Sequence, residues 1–448
     1  MKTYPVPLAV TVFIAAACSS LPRNAGLTPC TIEEVGAARC GSVTVPESWS
    51  EPGRMIDLNV VVLPATGRPR RDAIFIFQGG PGQAATTLAD FYAETYAAAR
   101  RERDVVLVDQ RGTGRSHPLQ CDRGETALDL YPIEVVRTCR ERLARETDLT
   151  LYTTAAAVLD AEAVRKALGY ERWDLYGTSY GTRVAIEYAR RFPSRVRTMT
   201  LKGVVPPRLA LPQGFARDTE RAIELLLDDC AADEACARAY PDLRRDYAAL
   251  RERLAQGAVG DLTTGRVAAV FRSLLQSTGS AADLPRLIHA AAGGDWAPLD
   301  EAVRTIRKLA ASAVSMGMFL SVVCSEDVPR VRGEEPRNTF LANYWLEQIR
   351  GACAEWPRAA TTEPTAARLD IPTLLISGHL DPATPPANAA EVERSLPRSR
   401  SIVVRYGSHS FSGMAGCIDR IMSAFVDTAE PATLDVSCVD TIRRPPFQ

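Results

Sequence analysis

Gly177-Thr178-Ser179-Tyr180-Gly181 places a serine hydroxyl between glycines, where a β-rich run (Trp173 to Tyr176) gives way to a helical stretch (Tyr180 to Arg191). A G-x-S-x-G sequence in that context is a nucleophile elbow: the glycines remove side chains that would clash in a sharp strand-to-helix turn, and the serine Oγ is left at its tip. The first N–H groups of the following helix then face any negative charge that develops there. The chemistry would be attack by Ser179 on an acyl carbon, and a serine hydroxyl needs a base to take its proton.

Histidine is the usual base, and the chain has four. His409, in Gly407-Ser408-His409-Ser410, follows the last β-rich run and sits on a loop that can reach the elbow. His117 belongs to the Arg111 to Pro118 turn and His289 to a helical region, while His379 neighbours the candidate acid. That acid is Asp381, in Ser377-Gly378-His379-Leu380-Asp381-Pro382, again after a β-rich run. Asp381 and His409 are separated by one helix and one strand, a unit that returns the chain to the same end of a parallel sheet. A turn-starting Asp-Pro is the plainer reading of Asp381.

Gln78-Gly79-Gly80-Pro81-Gly82 also follows a β-rich run, Ala73 to Phe77, and its glycines let backbone approach a substrate closely. An N–H from this loop can join that of Tyr180 in an oxyanion hole. Phosphate cradling is rejected, because Gly112-Thr113-Gly114-Arg115-Ser116 lacks the P-loop lysine. Asp109 to Ser116 reads as a structural turn.

The elements that must position these residues alternate. Ile56–Leu63, Ala73–Phe77, Asp104–Val108, Trp173–Tyr176, Thr198–Leu201, Pro372–Ser377 and Ser401–Arg405 are β-rich, with helical stretches such as Ala155–Leu168 between them. The alternation predicts an α/β fold with a doubly wound, mainly parallel sheet. From Leu209 to Thr365 the pattern is helical throughout, so one core interrupted by an insertion fits better than serial domains. The expected organisation is 1–17 signal peptide, 18–40 anchor or linker, 41–208 and 366–448 core, and 209–365 helical insertion.

The 448 residues are 46 % hydrophobic and 24 % charged, which excludes a disordered or fibrous chain. A net charge of −1 supplies no global field for nucleic acid or anionic lipid. Met1-Lys2, the apolar run Val6 to Ala17 and Ala15-Ala16-Ala17-Cys18 read as an export signal, too short to span a bilayer. Small residues ending on Cys18 resemble a bacterial lipobox, with Cys18 as the lipidated residue, although the same alanines suit an ordinary signal peptidase. Eleven cysteines then become ten in an oxidising compartment. Nearest-neighbour pairing is expected: Cys30–Cys40, Cys121–Cys139, Cys230–Cys236, Cys324–Cys353 and Cys417–Cys438. No zinc-ligand spacing links them to a histidine.

Taken as a set, Gly79-Gly80-Pro81-Gly82, Asp109 to Ser116, Gly177 to Thr182 and the stretch from Ile371 to Phe447 resemble α/β-hydrolases of the prolyl iminopeptidase and tripeptidyl aminopeptidase group. Ser179, Asp381 and His409 stand in the order those enzymes use. Gln78 replaces the usual histidine and Tyr180 the usual tryptophan of prolyl iminopeptidases, which tilts the comparison toward the tripeptidyl aminopeptidase branch. The resemblance implies a Ser179–Asp381–His409 triad, oxyanion N–H groups from Gly80 and Tyr180, a helical lid, and peptide substrates cut from a free amino terminus. It implies no metal or organic cofactor. An ammonium in a dry cleft needs a paired charge, and Glu326, in Cys324-Ser325-Glu326-Asp327, is the candidate. Nucleic acid is not an expected partner, and membrane contact is expected only through Cys18. An exported esterase or lipase with the same triad, and an inactive binding lipoprotein, are the rival readings.

Overall fold

Nine strands form one sheet: β1 (Leu27–Ile32), β2 (Gly36–Pro46), β3 (Met55–Leu63), β4 (Asp72–Phe77), β5 (Val105–Val108), β6 (Arg172–Thr178), β7 (Val196–Lys202), β8 (Thr373–Gly378) and β9 (Ser399–Val404). The computed structural model describes residues 26–122, 128–363, 367–411 and 416–448. The strand order is β1-β2-β3-β5-β4-β6-β7-β8-β9. The first four neighbours pair antiparallel, and from β5 onward every pairing is parallel.

The central strands are continuous apolar runs because both faces are covered. Ala73, Phe75 and Phe77 of β4 point to one face, whereas Ile74 and Ile76 point to the other. The first face is covered by α3 (Thr154–Leu168) and α4 (Tyr180–Arg191), and the second by α1 (Ala89–Thr95) and α15 (Cys417–Thr428). A further helix, α2 (Ile133–Leu143), packs on the α3 and α4 side.

Part of the segment expected to be an anchor or linker, 18–40, is sheet. β1 and the start of β2 pair across Cys30–Cys40, so the core begins before residue 41. The hairpin lies at the sheet edge, and β1 buries only Leu27. It therefore lacks the alternating apolar pattern by which a half-buried strand is read.

Between β7 and β8 the chain forms α5 (Phe215–Ala232), α6 (Glu234–Ala239), α7 (Leu243–Ala255), α8 (Thr264–Leu275), α9 (Thr278–Ala281), α10 (Leu284–Ala292), α11 (Ala297–Ala313), α12 (Met316–Val322) and α13 (Tyr344–Glu355). These helices divide by packing. Leu226, Leu250, Val270, Leu287 and Val303 of α5 to α11 share a core of their own. Met318, Leu320, Val323, Ile349 and Trp356 instead join the core beneath the sheet. The insertion is thus a lid followed by a segment built into the main body. One helix, α14 (Pro386–Glu393), then separates β8 from β9.

Five disulfides close Cys30–Cys40, Cys121–Cys139, Cys230–Cys236, Cys324–Cys353 and Cys417–Cys438, the nearest-neighbour pairs in each case. No described helix is long and apolar enough to cross a membrane. The signal segment and Cys18 lie outside the described residues.

Candidate active site

Ser179 stands between β6 and α4 with φ 54° and ψ −126°, a conformation that costs a non-glycine residue about 1–3 kcal/mol. The neighbouring glycines are what allow it. A Cβ on Gly177 would lie 2.6 Å from the Gly181 carbonyl oxygen, and one on Gly181 would lie 2.1 Å from that of Phe77. The turn is pinned by hydrogen bonds on both sides. Ser179 N–H donates to the Lys202 carbonyl at 2.9 Å, and the Thr182 hydroxyl donates to the Ser179 carbonyl at 2.7 Å. That same hydroxyl accepts from Val205 N–H at 2.8 Å, so the elbow is tied to the end of β7.

His409 and Asp381 meet across the ends of β9 and β8. The His409 Nδ1–H donates to Asp381 Oδ2 at 2.9 Å. An ionised carboxylate only accepts, so this contact assigns the proton to Nδ1 and leaves Nε2 as the basic nitrogen. Asp381 is fully buried and its oxygens are otherwise occupied. Oδ1 accepts from the N–H groups of Ala383 (2.7 Å) and Thr384 (2.8 Å), and Oδ2 also accepts from the Thr384 hydroxyl (2.7 Å). Burial alone would raise its pKa. The interaction with His409 and the hydrogen bonds from His409 and Thr384 outweigh it, holding the carboxyl well below the usual carboxylate range. Gly203, at φ 62°, makes room for the imidazole, since a Cβ there would stand 3.3 Å from its Cε1.

Ser179, His409, Gly79, Gly80 and Thr384 all line one cavity of about 600 Å³. The structure thus brings the candidate nucleophile and base to a common space, with Asp381 behind the imidazole. In the glycine loop, Gly79 N–H is taken by the Gln78 side-chain oxygen at 2.9 Å. Gly80, at φ 111°, follows it. Tyr180 begins α4, where a backbone N–H has no partner within its own helix. The Tyr180 ring turns into the core, with its hydroxyl 2.8 Å from the Thr154 hydroxyl. Burial holds that phenol well above its ordinary pKa. An arrangement of this kind can deliver an alkoxide to an acyl carbon beside N–H groups that meet the resulting oxyanion.

Glu326 does not share this cavity. Its two oxygens accept from the Thr154 N–H and hydroxyl, each at 2.6 Å, and it lines a separate cavity of about 1010 Å³ with Trp49 and Arg190. The candidate carboxylate for a substrate ammonium thus stands beside Thr154, outside the cavity that Ser179 lines. Through Thr154 it backs the Tyr180 phenol, while the adjacent Asp327 pairs with Arg183 of α4 at 3.0 Å. The Cys324–Cys353 segment is therefore a buttress under α4. The Asp109–Ser116 segment is also structural, because Asp109 accepts from Thr86, Asn59 and the Arg115 N–H. Arg111 forks onto Asp160 with both contacts at 2.6 Å.

Two groups of residues escaped the sequence reading. Lid residues hold the loops of the acid and the base. Arg221 of α5 donates to the carbonyls of His379 (2.9 Å) and Asp381 (2.7 Å), and Arg272 of α8 donates to that of Pro382. Gln276 and Thr278 bond the backbone of Ser410 and Tyr406, each at 2.7 Å. Lys202, at the end of β7, lines the cavity beside Ser179, and burial pushes its ammonium down to about 8. Its signal was available: it is one of four lysines, at the carboxyl end of a parallel strand where ligands bind.

Residues 72–228 match the family model described as the alpha/beta hydrolase fold, and residues 338–438 match the model described as TAP-like protein. The tripeptidyl aminopeptidase of Streptomyces lividans is 27 % identical, over 89 % of this chain and 83 % of that protein. Serine protease Hip1 of Mycobacterium tuberculosis is 26 % identical, over 89 % of this chain and 88 % of the relative. Carboxylesterase B of Mycobacterium tuberculosis is 26 % identical, over 89 % and 86 %.

Proposed function

We propose that the chain, a serine hydrolase of the peptidase kind on the alpha/beta hydrolase fold, is an exported enzyme removing short peptides from a free amino terminus. Ser179 is the nucleophile in this reading. Its Oγ attacks the scissile carbonyl while His409 Nε2 takes the proton and later gives it to the leaving amine. Asp381 orients the imidazole and stabilises its cation. The N–H groups of Gly80 and Tyr180 hold the oxyanion, each donor being worth about 10²–10³ in rate. Water then releases the acyl-enzyme by the same route.

The observation that carries the reading is the 2.9 Å His409–Asp381 hydrogen bond at a cavity shared by His409 and Ser179. A cavity of about 600 Å³ suits a few residues of extended peptide, not a folded polypeptide. The amino-terminal preference rests on the tripeptidyl aminopeptidase relative. Five disulfides support an oxidising compartment. Export, with lipid on Cys18 or free secretion after cleavage, is proposed from the amino-terminal segment.

A second reading, ester hydrolysis, is favoured by the relative named carboxylesterase B. The two separate on one panel: tripeptidyl amides with a free or acetylated amino group, against short acyl esters. The peptidase reading expects free-amine amides to be turned over best, with acetylation lowering kcat/KM at least about tenfold, the worth of one hydrogen bond donated by the ammonium. Turnover of esters alone would replace it with the second. Membrane fractionation of wild type against Cys18→Ala tests the anchor, which expects release of the variant from the membrane.

A further inference from the structure

We propose that the Ser179 cavity selects substrates bearing a carboxylate next to the scissile bond, received by Lys202 together with the hydroxyls of Thr178 and Tyr176. The proposal rests on the serine-hydrolase reading above and adds its substrate class.

Three observations carry it. First, the charged residues lining the cavity, His409 apart, are Lys202, Arg272 and Arg307, and no aspartate or glutamate lines it among the described residues. Secondly, the Lys202 ammonium lies 5.0 Å from the centre of the Phe411 ring, and among the described residues no carboxylate stands within ion-pair distance of it. The carboxylates whose field reaches it are Asp381 and Asp419. Asp381 is saturated by His409, Thr384 and Ala383, and Asp419 accepts from the Gly416 N–H at 3.0 Å. Thirdly, Lys202 stands in register with Thr178 on the neighbouring strand, and Tyr176 lies two residues back along it. Burial keeps the Tyr176 phenol protonated far above neutral pH, so this wall offers O–H groups and an ammonium.

A half-buried ammonium with no carboxylate partner is unfavourable until an anion arrives, and a charge-assisted hydrogen bond from it is among the stronger contacts a pocket makes. The same wall repels a substrate ammonium, so the amino end of a bound peptide must lie away from it. The Lys202 carbonyl accepts from Ser179 N–H, which sets the lysine backbone against that of the reacting serine, and both residues line the one cavity. The carboxylate can come from two sources: the acidic side chain of the residue whose carbonyl is attacked, or the terminal carboxylate of a short leaving peptide.

The test uses the full-length enzyme, with active sites counted by a fluorophosphonate probe. One arm compares tripeptidyl coumarin amides ending in Glu and in Gln. The other compares short peptides whose leaving residue has a free or an amidated carboxyl end. The proposal expects kcat/KM at least about tenfold higher for the carboxylate in one arm. Preference in the first assigns the side chain, and preference in the second assigns the terminal carboxylate. Lys202→Gln should bring the ratio close to one, and Tyr176→Phe should lower it a few-fold. Ratios near one in both arms of the wild type would overturn the proposal, as would an undiminished preference in titratable Lys202→Gln. Should Lys202→Gln fail to fold, the wild-type ratios and Tyr176→Phe still decide. Absence of probe labelling in the wild type would overturn the serine-hydrolase reading itself, a distinguishable failure.

Discussion

Arg221, on the lid helix α5, donates to the main-chain carbonyl of Asp381 at 2.7 Å and, from its other terminal nitrogen, to that of His379 at 2.9 Å. The lid therefore holds the loop of the candidate acid as well as roofing the cavity. Replacing Arg221 with methionine removes both bonds and keeps most of the packing. The expected result is a fall in kcat of about tenfold with KM changed less, since a small misplacement of a catalytic group is felt mainly in the chemical step. Steady-state kinetics on active-site-titrated enzyme check this, and Arg221→Lys should recover part of the loss.

Asp381→Asn keeps the shape of the side chain but offers Nδ1–H of His409 a donor or a weaker acceptor. A fall in kcat of about 10⁴ is expected, with the fold retained. Because the Asp381 carboxyl is held below the usual range, its contribution to stability is present above its unfolded pKa of about 4 and is lost as the pH falls through the folded value. Acid unfolding of the wild type should accordingly extend to lower pH than that of Asp381→Asn.

Lys202 has the opposite linkage. Its folded pKa, about 8, lies below the ordinary 10.5, so the unfolded chain binds the proton more tightly across that interval. The charged lysine thus destabilises the fold at neutral pH, and stability gains as the pH rises from 8 toward 10.5. Lys202→Met should be more stable than wild type at pH 7, the gap closing over that interval in denaturant melts. Carboxylate preference should fade in the wild type as the pH rises through 8.

Glu326→Gln should leave the ratio of free-amine to acetylated substrate unchanged, because Glu326 meets Thr154 and lies outside the Ser179 cavity. Its cost should appear in stability, about 1–3 kcal/mol for weakened buried hydrogen bonds, measured by denaturant unfolding. Removing the Cys324–Cys353 bridge, whose separation is 29 residues, should cost about 3–4 kcal/mol by the chain-entropy relation. A thermal shift of Cys324→Ala/Cys353→Ala measures it.

The grouping of Ser179, Asp381 and His409 was legible because each sits at the end of a β-rich run, and the elbow glycines are required by contacts as close as 2.1 Å. Chain order then carried the rest. The β1–β2 hairpin was not legible, since an edge strand that buries only Leu27 leaves no periodic signal. The place of Glu326 was hidden for a different reason. Its segment reads as part of a lid, yet Met318, Val323 and Trp356 around it pack into the main core, a placement local patterning does not encode. Arg221 and Lys202 carry no such periodic signal, because their roles depend on which loop or cavity the fold brings to them.

The most direct measurement is peptidase turnover by wild type and Ser179→Ala, paired with intact-mass analysis after fluorophosphonate treatment. A single adduct on Ser179, with labelling and peptide cleavage both abolished in the alanine variant, is the predicted result. Peptide cleavage that persists in purified Ser179→Ala would contradict the assignment.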